Sequence, residues 1–296
     1  MPTPNLLLIG MPRCGTTALA AAINQHSDIL VSNPKEPHFL ATYGATQEIQ
    51  GLGSESFSRQ RQYSREKWSA LFGTGDEKWR VDASVSTASY PDTSIENIKQ
   101  HCDPDTHLII ALRDPVERAY SSYMYCLSRG WETETFESSL AKEKERQNNH
   151  WQHLWQFTHL SHYEKRLQPF YDNFPLDNIH IVIAEEFMAE PNSVMQKLFG
   201  FLDIEHIKIK TVDKVNSSGS PNSEIIQDIW GYIRNRPWLH KNAKKLSSRR
   251  FRETLRSANL TKVDMQADTR AMLQDKFRGT RDWVETTLHK DLSRWN

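Results

Sequence analysis

The stretch LLLIGMPRCGTTALAAAI, residues 6–23, constrains the fold more than any other part of the chain. An apolar run ends at Gly10, a short loop follows, and Gly15-Thr16-Thr17 opens an alanine-rich segment with helical character. A run that is apolar at nearly every position suits a strand covered on both faces, as in a parallel sheet. Glycines let backbone N–H groups approach an anion closely, and a helix N-terminus adds partial positive charge. The threonine hydroxyls of the first turn supply further donors. The alternative is an ordinary strand–turn–helix corner that binds nothing.

The pattern repeats along the chain. Strands are expected at Asn5–Ile9, Ile29–Ser32, Arg80–Asp82, Leu108–Leu112 and Ile179–Ile183. Helices are expected between them, at Thr16–Gln25, Arg65–Phe72, Thr93–His101, Val116–Ser128 and Ser161–Asn173. Such alternation predicts an α/β fold of the P-loop-like, three-layer kind, with a central parallel sheet flanked by helices. Gln47–Tyr63 is polar and aperiodic and reads as a loop or lid. The strand signal stops at Asn222, so the expected organisation is one domain over residues 1–296. Its nucleotide-binding core is 1–221, and 222–296 form a helical C-terminal appendage.

Composition narrows the class. Lysine plus arginine balance aspartate plus glutamate at 37 each, which argues against nucleic-acid binding through a global positive field. The three cysteines, Cys14, Cys102 and Cys126, lack metal-ligand spacing and do not suggest a disulfide framework. No metal is expected. No apolar run approaches the ~20 residues that span a bilayer. The N-terminus reads as a buried strand and not as a signal peptide. A reduced, cytoplasmic chain without membrane association is expected; the oligomeric state is open.

The first loop has the spacing of the nucleoside-triphosphate motif G-x-x-x-x-G-K-[ST], with Gly10 and Gly15 in place, but Thr16 stands where the lysine belongs. No long cation bridges β- and γ-phosphates there, which weakens an ATPase reading. The cation lies inside the loop instead, at Arg13. A second anion site is expected in LIIALRDPVERAYSSYMYCLSRG, residues 108–130. Its strand delivers Arg113 to the carboxyl end, where α/β sheets bind ligands. Asp114 can cap the following helix, with Pro115 in its first turn. Arg113 and Ser121 together can hold a phosphate; alone, Arg113 is equally a structural ion-pair residue.

The two segments together resemble the sulfotransferases that use 3′-phosphoadenosine 5′-phosphosulfate (PAPS). That family's 5′-phosphosulfate loop, P-[KR]-x-G-T-T, is matched by Pro12-Arg13-Cys14-Gly15-Thr16-Thr17. Its 3′-phosphate motif, L-R-[DN]-P-x-x-R-A-x-S, is matched by Leu112 through Ser121. Ala184-Glu185-Glu186-Phe187, the PNSVMQKLFGFLDI stretch and the closing Asp291-Leu292-Ser293-Arg294-Trp295 are similar to further landmarks. The resemblance implies that PAPS is the donor and adenosine 3′,5′-bisphosphate (PAP) the product, with no metal required. Many relatives carry lysine at Arg13; arginine stays protonated, so a proton-donor role is in doubt while electrostatic stabilisation of the leaving oxygen is not.

Asn33-Pro34-Lys35-Glu36-Pro37-His38-Phe39 resembles the K-E-x-H-F-F segment of the heparan-sulfate-type branch, which makes Glu36 the implied general base and His38 the second candidate. Asp82-Ala83-Ser84-Val85-Ser86 stands in place of G-E-[KA]-[ST]-P, with Ala83 where some glycan-sulfating relatives carry a functional lysine. Asp82 and Ser84 are pocket candidates, although a structural acceptor role suits Asp82 better. Lys214–Pro221 lies where the family closes over the nucleotide, so Ser218 and Gly219 are expected contacts; a simple linker is the alternative. Arg234–Arg256 holds nine lysines and arginines against Glu253 alone, and reads as a solvated helical face or as an attractor of anions. His150, His153, His159 and His162 lack a carboxylate or cysteine to complete a metal set, and suit an aromatic pocket wall or plain core and surface positions better.

The expected activity is sulfuryl transfer from PAPS to a hydroxyl or amine of a small, natural-product-like acceptor, as in secondary metabolism. Saccharide sulfation is the alternative. A kinase-like phosphotransferase is disfavoured by the missing lysine, and a non-catalytic nucleotide-sensing or scaffold protein by the presence of Arg13 and Glu36.

Overall fold

The computed structural model describes residues 2–61, 64–73, 75–210, 220–221, 260–261 and 265–295. Its centre is a five-stranded, all-parallel sheet in the order β2-β3-β1-β4-β5. The strands are β1 (Leu6–Gly10), β2 (Ile29–Val31), β3 (Trp79–Asp82), β4 (His107–Leu112) and β5 (Ile179–Ile183). Every residue of β1 is buried, as are all of β4 except His107. That explains their uninterrupted apolar character: both sheet faces are covered.

The expected helices form at nearly the expected places: Thr16–Ile23, Arg65–Ser69 with a 3₁₀ turn to Phe72, Pro91–His101, Pro115–Ser128 and Tyr163–Asn173. Pro115 occupies the first turn, and Asp114 Oδ1 accepts from the backbone N–H groups of Val116 at 2.7 Å and Glu117 at 2.9 Å. Crossovers leave the central strand in opposite directions, from β1 towards β2 and from β3 past β1 to β4. Right-handed crossovers therefore set their helices on opposite faces. The reversal falls between β1 and β4, so the crevice beyond their carboxyl ends is the switch point where ligands of such sheets bind.

One expectation needs correction. The segment 47–63 is not simply a loop: Ser54–Gln60 is helical and buries Phe57. Its polar composition hid a single apolar anchor. The C-terminal part carries the expected helices, preceded by a two-residue antiparallel pairing of Leu260–Thr261 with Ser220–Pro221. Ala267–Lys276 and Arg278–Leu288 are helices, and Leu273, Phe277, Val284, Leu292 and Trp295 are buried in the apolar core. Ser218, Gly219 and the basic segment Arg234–Arg256 lie outside the described residues.

Candidate active site

The loop after β1 and the turn after β4 meet at the switch point. Met11 N–H donates to Ala111 C=O at 2.7 Å, joining the two strand ends. Gly10 is required by packing, since a Cβ there would lie 2.8 Å from Ala88 Cβ. Gly15 is required by conformation instead: its φ is 77°, and a Cβ would meet nothing within 4 Å. Open space therefore lies in front of the first turn of the Thr16–Ile23 helix, a turn that carries no acidic residue. Thr16 and Thr17 both line a cleft of about 250 Å³ there.

Arg13 is held over the same cleft. Its Nε–H donates to Ser121 Oγ at 3.3 Å, and its Cζ lies 4.6 Å from the centroid of the Tyr125 ring. Burial lowers the Arg13 pKa, and the neighbouring Arg113 charge acts in the same direction. Pro12 lines the cleft, whereas Cys14 turns away from it. The Cys14 N–H donates to Met11 C=O at 3.2 Å, and its Sγ lies 3.9 Å from Tyr163 Oη. Burial raises the thiol to about 12, so Cys14 is a packed neutral side chain.

Residues that sequence reasoning passed over fix these two loops to each other. Arg118, fully buried, donates from Nε to Ser161 Oγ at 2.7 Å, from Nη1 to Pro12 C=O at 3.5 Å and from Nη2 to Phe157 C=O. Tyr163 Oη donates to Arg113 C=O at 2.6 Å. Glu185, after β5, accepts from Asp114 N–H at 3.0 Å. Arg118 was visible only as one letter of a motif; its partners lie up to 106 residues away.

The second expected anion site differs in detail. The structure brings Ser121 to Arg13, while Arg113 Nη2 lies 3.4 Å from Glu117 Oε2, one helical turn on. Arg113 stands outside the lining of the cleft.

The segment after β2 lines the same cleft as Arg13. Lys35 and Glu36 form an ion pair, and His38 Nε2 is 3.9 Å from Glu36 Oε2. All three line the cleft. His38 Nδ1 is 2.8 Å from Ser86 Oγ, so in either tautomer Nε2 is the atom turned toward Glu36. Arg13, Glu36 and His38 share a left-handed backbone, with φ of 71°, 64° and 56°. Side-chain-bearing residues rarely adopt it, and these three line one cleft.

The buried acid Asp82 supports that strained turn. His38 N–H donates to Ser84 Oγ at 3.0 Å, Ser84 Oγ donates to Asp82 Oδ1 at 2.6 Å, and Trp68 Nε1 donates to Asp82 Oδ2 at 2.8 Å. Burial raises the Asp82 carboxyl to about 6, against the lowering effect of these hydrogen bonds. Asp82 and Ser84 do not line the cleft; their neighbour Val85 does.

The remaining wall pairs two distant segments. Leu52 C=O accepts from Gln152 Nε2 at 2.8 Å and from Trp155 Nε1 at 2.9 Å. Phe57 thereby sits on His38, ring centroids 4.4 Å apart, with His153 5.5 Å from Phe57. Of the four clustered histidines only His153 lines the cleft, and burial drives its pKa down to about 3, leaving it neutral. Among the described residues no group of His, Cys, Asp or Glu is placed to hold a metal ion, and no helix is long and apolar enough to cross a membrane.

Comparison with known proteins agrees with this architecture. A family model described as "Sulfotransferase family" matches residues 4–208. Mouse heparan sulfate glucosamine 3-O-sulfotransferase 3A1 is 26% identical over 206 residues, covering 69% of this chain and 47% of the relative. Rat carbohydrate sulfotransferase 15 is 25% identical over 168 residues, 47% of this chain and 30% of the relative. The chain thus spans less than half the length of these two relatives. A solved structure of a sulfotransferase from Alicyclobacillus acidocaldarius superposes with a TM-score of 0.78 at 25% identity, covering 100% of this chain and 99% of that one.

Proposed function

The chain belongs to the sulfotransferase family, and on that premise we propose that it transfers the sulfuryl group of PAPS to a hydroxyl or amine of a small-molecule acceptor, releasing PAP. The observation that carries the reading is the 3.3 Å hydrogen bond from Arg13 to Ser121, which unites the two anion-binding segments at one switch point. Glu36 and His38 line the same cleft as Arg13.

The residues suit such a donor. Open space at Gly15, first-turn N–H groups without an acidic neighbour, and Arg13 form a cradle for the 5′-phosphosulfate. Arg113 is the cation for the 3′-phosphate, with Ser121 between the two sites. When bound, PAPS supplies an activated sulfuryl group on an anhydride whose leaving oxygen belongs to a phosphate. Arg13 and the helix N-terminus neutralise charge that develops on that oxygen, a preorganised electrostatic effect that needs no metal. Glu36 removes the acceptor proton as the new bond to sulfur forms. Lys35, ion-paired with Glu36, holds its side chain in place, and His38 is the second group able to take the proton.

A small acceptor suits the cleft of about 250 Å³ under the Leu52–Phe57 wall. A saccharide acceptor is the second reading, favoured by the names of the two mammalian relatives and by Lys35 and Arg129 at the cleft, cations suited to a carboxylated sugar. The deciding experiment incubates the protein with PAPS and parallel panels of small alcohols, amines and phenols and of glycosaminoglycan oligosaccharides, with mass detection of added SO₃ and of PAP. Sulfation in the first panel is expected. Sulfation confined to the second would establish the saccharide reading, and thermal stabilisation by ATP–magnesium but not by PAP would overturn both.

A further inference from the structure

Glu117 lies between two arginines, one a helical turn before it and one from the C-terminal part of the chain. Its Oε2 is 3.4 Å from Arg113 Nη2 and its Oε1 is 2.8 Å from Arg270 Nη2. Arg270 belongs to the Ala267–Lys276 helix, outside the residues matched by the family model. Arg270, Leu273 and Phe277 follow helical spacing, so the apolar pair that buries the helix turns Arg270 the same way. Thr269 Oγ1 donates to Glu137 Oε1 at 2.7 Å and Lys276 Nζ to Thr158 Oγ1 at 3.1 Å, which fixes the helix beside Pro115–Ser128. The side chains of Arg113, Glu117 and Arg270 are 33%, 32% and 40% exposed, so an anion arriving from solvent can reach all of them.

We propose that Arg270 is a second cation for the nucleotide's 3′-phosphate, and that Glu117 is the internal carboxylate that holds Arg113 and Arg270 in place of that phosphate. The inference rests on the reading of Arg113 as the 3′-phosphate residue. A carboxylate with one oxygen on each guanidinium mimics two oxygens of a phosphate. A dianionic phosphate gains more from two cations than one carboxylate does, so exchange of partners favours the nucleotide. The C-terminal helix thereby becomes part of donor recognition.

The test is calorimetric titration of PAP and of adenosine 5′-monophosphate into the full chain, its Arg113→Ala, Arg270→Ala and Arg270→Lys variants and Glu117→Gln. Wild type should prefer PAP. Arg270→Ala should lose about tenfold in PAP affinity, the scale of one charged hydrogen bond, with monophosphate affinity unchanged. Arg270→Lys should recover part of the loss and guards against misfolding of the alanine variant. Glu117→Gln should bind PAP more tightly, because it removes the competing charge; a merely structural Glu117 gives the opposite sign. Retention of the wild-type PAP preference in both Arg270 variants would overturn the proposal alone. Equal binding of the two nucleotides by wild type would bring down the assignment of Arg113 first, and Arg270 with it.

Discussion

Arg13 Nε donates to Ser121 Oγ at 3.3 Å, linking the loop after β1 to the helix after β4 across 108 residues of sequence. Residues that share one hydrogen bond do not contribute independently. Ser121→Ala should slow turnover several-fold by releasing Arg13, and Arg13→Ala should slow it by about 10²-fold or more. The double variant should be no slower than Arg13→Ala alone. Single-turnover rates at saturating PAPS check this, and strictly multiplicative losses would show that the contact carries no catalytic coupling.

Arg113→Ala should act differently from Arg13→Ala. Arg113 stands outside the cleft, beside Glu117, so its loss should weaken PAP binding about tenfold or more and leave saturated turnover close to normal. Titration of PAP together with steady-state kinetics separates the two effects.

Glu36→Gln should keep PAP affinity while cutting turnover about 10²- to 10⁴-fold, the usual contribution of a general base. The paired measurements are calorimetric affinity for PAP and turnover with a reactive acceptor. Unchanged turnover would move the proton-accepting role to His38.

Asp82 has a carboxyl raised to about 6 from an ordinary 3.8. Because the folded value is the higher one, protonated Asp82 favours folding below pH 4, and that contribution is lost as pH rises through about 6. Between pH 7 and 4 the wild type should therefore gain about 2 kcal/mol relative to Asp82→Asn, at ~1.4 kcal/mol per pH unit. Denaturant unfolding at several pH values reads the difference directly.

Gly15→Ala should destabilise the fold by about 1 kcal/mol, because alanine at φ 77° is strained whatever space surrounds it. PAP binding should weaken as well, since any relaxation of the strain re-aims the first-turn N–H groups. Thermal shift with and without PAP separates the two losses.

Much of the sheet and the two loops that meet at its switch point were legible because their signals are local. In both places an uninterrupted apolar run leads straight into a turn and a helix start, through Gly10 and Gly15 after β1 and through Asp114-Pro115 in Leu108–Ser128. What stayed hidden depends on partners far off in sequence. The helix Ser54–Gln60 has one buried apolar residue, Phe57, so no periodicity announces it; its place is set by Gln152 and Trp155. Arg118 reads as another surface arginine until its burial beneath Pro12 is seen. Helix periodicity permits Ser121 as a partner of Arg113 but cannot reveal the approach of Arg13 from another strand.

The shared carbonyl of Leu52 constrains how this chain can change. Because one oxygen serves both Gln152 and Trp155, the wall over Glu36 is a two-piece part whose halves must be inherited together. A descendant that exchanged residues 47–60 alone would lose the mate of its new half. New acceptor preferences in this lineage should therefore arise by paired replacement of 47–60 and 150–157, and a laboratory chimaera that moves both should outperform one that moves either.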